Sequence, residues 1–150
     1  MKEKGAGILF FQSLLFLTGV GVFIFLLWGP HIEGRNVGAN LFHIYFQDPF
    51  LAYVYFASAF FFAGLYRVLC ILGYVKQGRW KDAQVVKDLI RVRWCAKILM
   101  IFIFFAEVFL FLQESDDRAG GVFIGAIVFF GSLIVWLLAR VFENKWRSNV

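Results

Sequence analysis

The sequence predicts an all-α fold: an integral membrane four-helix bundle, both termini cytoplasmic, with the third helix extended into the cytoplasm. Three observations predict it. Hydrophobic residues make up 61% of the 150 residues, with 21 Phe, against about 45–50% in soluble domains. A globule this small cannot bury so much apolar surface, so much of it must face lipid. Four apolar runs, 8–28, 50–75, 94–112 and 121–139, can each span a hydrocarbon core of about 30 Å, which takes about 20 helical residues. Lipid cannot satisfy backbone N–H and C=O groups, so helices are the economical choice despite the abundance of Phe, Val and Ile. Lastly, the cations stand in blocks between the runs, and 13 of the 15 Lys and Arg fall on one predicted side. The positive-inside rule makes that side cytoplasmic.

Lys2 and Lys4 before the first run imitate a secretory signal. The run holds 21 residues, longer than the ~7–15 of a signal core, and no small-residue cleavage pattern follows it. An uncleaved first helix is expected, ending at Trp28, an interfacial anchor. The connection to the second run is the longest. Its stretch LFHIYF, 41–46, is too apolar for a free loop and is expected at the outer interface as a short strand or a turn of helix.

Asp48 and Pro49 mark the start of the second helix, as cap and first-turn residue. Ala59 and Ala63, with Gly64 beside them, offer a small-residue surface for close helix approach. Gly78 is the expected stop, and Asp82 the expected cap of the third helix. Residues 83–93 are amphipathic, with Val85, Val86, Leu89 and Ile90 opposite Gln84, Lys87, Asp88 and Arg91. They should run on into 94–112. The short acidic connection QESDDRAG makes the third and fourth helices an antiparallel pair, with Gly121 and Gly125 forming a GxxxG face. The fourth helix is expected to end at a basic tail holding Arg140, Lys145, Trp146 and Arg147. One membrane domain, 1–150, follows, with its basic cytoplasmic hairpin at 76–93.

The segment 67–97 holds eight of the 15 cations and supplies the main candidate site. Arg67, Arg79, Lys81, Lys87, Arg91 and Arg93 are placed to meet a protein partner or anionic lipid, where each cation near the surface contributes about 1 kcal/mol. The plainer reading is that these charges set orientation. Arg67 has two readings of its own: snorkelling to inner-leaflet phosphates with its stem buried, or a buried pairing with Glu143 or Asp88 that locks the helix ends together. Glu107 is the intramembrane polar candidate, about 7–8 Å below the outer end of its helix. Such carboxylates often mark ion or proton paths, and Arg35, His31, His43 and Arg118 are its possible partners. The plainer reading is a wetted or protonated group.

Other chemistries are poorly supported. His31, Glu33, His43 and Asp48 share the outer loop but match no metal-site spacing, so no metal and no cofactor are expected. Cys70 and Cys95 are read as small core residues near the cytoplasmic face, without a CxxC pattern. The residues contain no Ser/His/Asp arrangement, phosphate loop or HExxH motif. A non-enzyme is therefore expected, and the blocked charge pattern argues against direct nucleic-acid binding.

The stretch AFFFAGLYRVLCILGYVKQGRWKDAQVVKDLIRVRWCAKILM resembles bacterial proteins of domain-of-unknown-function family 2975. In these, a helix ending in an ALYQ-like motif leads to a basic turn and then to a run like LSVKALKNIKYCAI. Ala63, Gly64, Leu65, Tyr66 and Arg67 stand at the first motif. Val86, Lys87, Asp88 and Leu89, then Arg93, Trp94, Cys95 and Ala96, stand at the second. The acidic turn Glu114, Ser115, Asp116, Asp117 before a Gly-rich fourth helix also fits. The similarity runs from about Gly7 to Lys145. The chain departs from the pattern at Gly64 and at Arg67, where an uncharged polar residue is usual. The resemblance implies four membrane helices and no known reaction. Some members are encoded beside a small helix-turn-helix regulator, which implies a membrane partner for a transcription factor. Together these readings give a regulatory or interaction protein of the bacterial inner membrane. The alternative is a small transporter, channel subunit or immunity-type protein working around Glu107.

Overall fold

The computed structural model describes residues 2–32, 49–112 and 118–147. The fold is all-α. Helix α1 is Lys2–Ile32, α2 Pro49–Lys76, α3 Ala83–Leu112 and α4 Arg118–Arg147. All four are long and apolar enough to cross a membrane, and only 6–11% of each apolar window is buried within the protein. Large side chains such as Phe10, Phe56, Phe104 and Phe130 point outward. This is the inverse of a soluble core and matches a lipid solvent.

The chain divides into two compact units, Met1–Ala59 and Phe60–Val150. In the first, the less exposed residues of α1 are Ile8, Gln12, Leu15, Gly19, Val22, Leu26 and Gly29. They recur alternately four and three apart, the period of a narrow helix seam. The Tyr55 hydroxyl of α2 donates to the Leu26 carbonyl. Thr18 and Ser58 turn their hydroxyls back onto the carbonyls of Leu14 and Tyr55, which satisfies them within the helix. Pro49 opens α2 as expected. Asp48 and the apolar stretch 41–46 lie outside the described residues.

In the second unit α3 and α4 pack along their length. The buried face of α3 is Val85, Asp88, Val92, Ala96, Leu99 and Ile103, again three and four apart. Ser132, Ala139 and Glu143 are the buried positions of α4. Gly121 and Gly125 do face α3, as the GxxxG pattern predicts. A Cβ on Gly121 would stand 3.1 Å from Leu110 Cδ1, and one on Gly125 would collide with Glu107. The small-residue expectation for α2 needs correcting. Ala59 and Ala63 are exposed, and the close approach is made by Gly64, whose added Cβ would lie 3.3 Å from Cys95 Cβ. One face of a helix holds i and i+4 but not i+5 at the same angle, so Gly64 looks across at α3 while the alanines do not. Phe60 and Phe102 stack at 5.7 Å along the same contact.

The turn between α2 and α3 is closely specified. Gly78 has φ +73°. Its N–H donates to Val75 and that of Arg79 donates to Tyr74, the paired bonds of a Schellman stop. Asp82 then accepts from the Gln84 N–H at 3.0 Å, the N-cap bond of α3. α4 runs on to Arg147, past the apolar run and through the predicted tail.

Candidate functional site

The most buried side chain of the described residues is a carboxylate. Asp88 is 1% exposed, on the core face of α3. Its Oδ1 accepts from Arg67 of α2 at 3.3 Å and from Arg91 one turn along α3 at 2.9 Å. A buried carboxylate is costly unless paired and hydrogen-bonded, and two guanidinium groups meet that need. Glu143, 3% exposed on the core face of α4, repeats the arrangement. Arg93 of α3 lies 2.8 Å from Oε2, and Arg147, four residues along α4, lies 3.2 Å from Oε1. Glu143 Oε2 has no hydrogen-bond partner among the described residues, so the Arg93 contact is an ion pair without hydrogen-bond alignment. Each clasp thus joins one arginine from a neighbouring helix to one from the carboxylate's own helix. Together they tie α2 to α3 and α3 to α4 at the basic end.

These clasps use up much of the predicted basic site. Arg67 and Arg91 hold Asp88, and Arg93 holds Glu143. The snorkelling reading of Arg67 gives way to the pairing, because its guanidinium donates to the buried Asp88 carboxylate. Arg79 is paired with Asp82 and lies over the Tyr74 ring at 5.5 Å. The Gln84 N–H and, after it, Arg79 hold the Asp82 carboxyl below its ordinary range, since both favour the charged form. Lys81 lies over Trp80 at 5.0 Å, and Lys87 is exposed. The residue that sequence reasoning missed is Trp80. It is 52% exposed at the tip of a turn that its neighbours fix. Its signal was available: an aromatic between two cations, Arg79 and Lys81, has no membrane to bury in if that turn is cytoplasmic.

Glu107 of α3 is seated against the backbone of α4. A Cβ at Gly125 would fall 1.6 Å from its Oε1 and 2.8 Å from its Cδ, so the carboxyl occupies the space the glycine leaves. Its proposed partners Arg35, His31, His43 and Arg118 have side chains outside the described residues, as do the candidate ligands Glu33 and Asp48. Cys70 and Cys95 are both free thiols. Among the described residues no three His, Cys, Asp or Glu side chains converge on a common point.

Four spanning-length helices, a lipid-compatible exterior and charged clasps at the basic end define a small polytopic membrane protein. Residues 39–144 match the family described as Protein of unknown function (DUF2975), and the chain belongs to that family. It is similar to the uncharacterized membrane protein YoaS of Bacillus subtilis (strain 168), with 29% identity over 151 residues covering 95% of this chain and 90% of that one. No solved structure matches it.

Proposed function

We propose that this protein is a non-enzymatic interaction module of the bacterial inner membrane, which offers its basic hairpin to a cytosolic protein. The observation that carries the reading is Trp80, exposed at the tip of a braced turn. Gly64 stands level with Cys95. Beyond that level both α2 and α3 continue for about 18 Å of helix at 1.5 Å per residue. Trp80 follows the end of the apolar run 50–75 and stands between Arg79 and Lys81, whose charges draw the tip of the turn out of lipid. Tryptophan is among the residues enriched at the energetic centres of protein interfaces. The arginines brace the hairpin, and Trp80, Lys81 and Lys87 do the docking, which fits a partner with an acidic rim around an apolar pocket. A helix-turn-helix regulator, as the family resemblance implies, is the first partner to test. Crosslinking from position 87 in cells should capture a cytosolic partner with the wild-type chain. It should fail with Trp80→Ala/Lys81→Gln while insertion is kept. Equal capture by both overturns the reading.

A second reading has its own observation. The Glu107 carboxyl in its glycine socket is the kind of intramembrane acid that carries protons or ions. If the protein is a small transporter, channel subunit or immunity-type protein, Glu107→Gln removes the flux or protection and the Trp80 variant does not.

A further inference from the structure

We infer that the basic end of the α3–α4 seam is a binding site for the phosphate of an anionic phospholipid, held by Lys97 and Arg140. Arg93, Trp94, Lys97, Trp136 and Arg140 line a groove of about 300 Å³. Lys97 Nζ sits 5.3 Å from the Trp94 ring centre, and Arg140 Cζ sits 5.3 Å from that of Trp136. Each helix therefore contributes one tryptophan and one cation, at i,i+3 on α3 and i,i+4 on α4, to the same groove. Indole rings settle at headgroup level, and basic pockets between membrane helices recognise anionic headgroups.

Charge complementarity favours this occupant. Glu143 is already shared by Arg93 and Arg147, and Asp88 by Arg67 and Arg91. Neither Lys97 nor Arg140 has a carboxylate partner among the described residues. Both are exposed on their helices, held over rings that leave their N–H groups free to donate. The groove thus keeps two uncompensated positive charges where the apolar parts of α3 and α4 give way to charge. A phosphodiester at that depth receives donors from both helices while its acyl chains lie along the exposed apolar flanks. The site is separate from the hairpin tip and does not depend on the docking reading.

The test uses the full-length protein in lipid nanodiscs containing phosphatidylglycerol and phosphatidylcholine in equal amounts. Lipids retained on gentle extraction are measured by native mass spectrometry, beside quenching of tryptophan fluorescence by spin-labelled headgroups of each class. Wild type is expected to enrich phosphatidylglycerol about fivefold or more, the value of roughly one interfacial cation. Lys97→Gln/Arg140→Gln should bring enrichment to parity, with the melting transition preserved because both clasps remain. Trp94→Leu/Trp136→Leu should weaken enrichment without abolishing it. Undiminished enrichment in the double Gln variant overturns the proposal, as does displacement of the retained lipid by millimolar inorganic phosphate, which would make the site one for free anions.

Discussion

Arg67 of α2 reaches Asp88 of α3, 21 positions further along the chain and on the other side of the turn, at 3.3 Å, and so fixes the register of the hairpin. The carboxylate is 1% exposed, yet it sits where a helix face of this period would carry Val or Leu. Such a pair contributes little net stability over apolar residues of the same volume, but removing one member leaves a buried charge without compensation.

Asp88→Leu is therefore expected to destabilise the protein by about 1–3 kcal/mol, less than the loss from breaking a fully buried pair, because the arginines left behind are partly exposed. Arg67→Leu/Asp88→Leu should recover most of that loss. Denaturation in mixed micelles, run as a double-mutant cycle, measures both. A double variant as unstable as the single would show that the pair acts by something other than charge compensation.

Gly78→Ala should cost about 1 kcal/mol, because φ +73° crowds a Cβ against the following carbonyl. The same measurement on Gly73→Ala, where an added Cβ meets nothing within 4 Å, should show no loss and a slight gain from helix propensity.

Asp82 contributes a pH dependence of known sign. Its carboxyl is held below the ordinary value by the Gln84 N–H and Arg79. The stability it adds is fully present above the unfolded carboxylate pKa, and is lost as pH falls through the lower folded value. Asp82→Asn keeps a capping oxygen but removes the charge. The difference in stability between wild type and this variant should be constant near neutrality and shrink below about pH 4. A difference that grows on acidification contradicts the assignment.

Gly125→Ala should expel the Glu107 carboxyl from its seat, since the new Cβ would overlap Oε1. The side chain is flexible, so the expected cost is about 1–3 kcal/mol, and Gly125→Ala/Glu107→Ala should be milder than Gly125→Ala alone. The carboxyl stretching frequency of Glu107, read by infrared difference spectroscopy against Glu107→Gln, should shift in the single glycine variant. An unshifted band would show that the carboxyl does not sit against Gly125.

Trp80→Cys, in a background with Cys70 and Cys95 replaced by Ala, should be labelled by membrane-impermeant maleimide only in inverted vesicles. Labelling in intact cells would reverse the orientation that the cation count predicts.

Several elements were legible in the residues alone because the signals are local. Gly78 and Asp82 end one helix and start the next through bonds within four residues of themselves. The four apolar runs needed only length and composition, since lipid leaves the backbone a single choice. Longer reach was less legible. The apolar run 121–139 with a basic tail after it suggested that helix four stops at that tail. The helix continues because Glu143 is buried and tied to both Arg93 and Arg147, so the tail belongs to the core.

By itself, then, the sequence determined the all-α class, the spanning helices and the braced turn between α2 and α3. Tertiary structure decided which cations are spent and which are available. Spacing along the chain cannot tell whether Arg67 meets Asp88, Glu143 or a lipid phosphate, because that depends on where two antiparallel helices cross. Once α3 turns Asp88 inward and α4 turns Glu143 inward, desolvation compels arginines to follow them. That leaves Lys81 and Lys87 on the hairpin, and Lys97 and Arg140 at the α3–α4 groove, outside the ion pairs among the described residues.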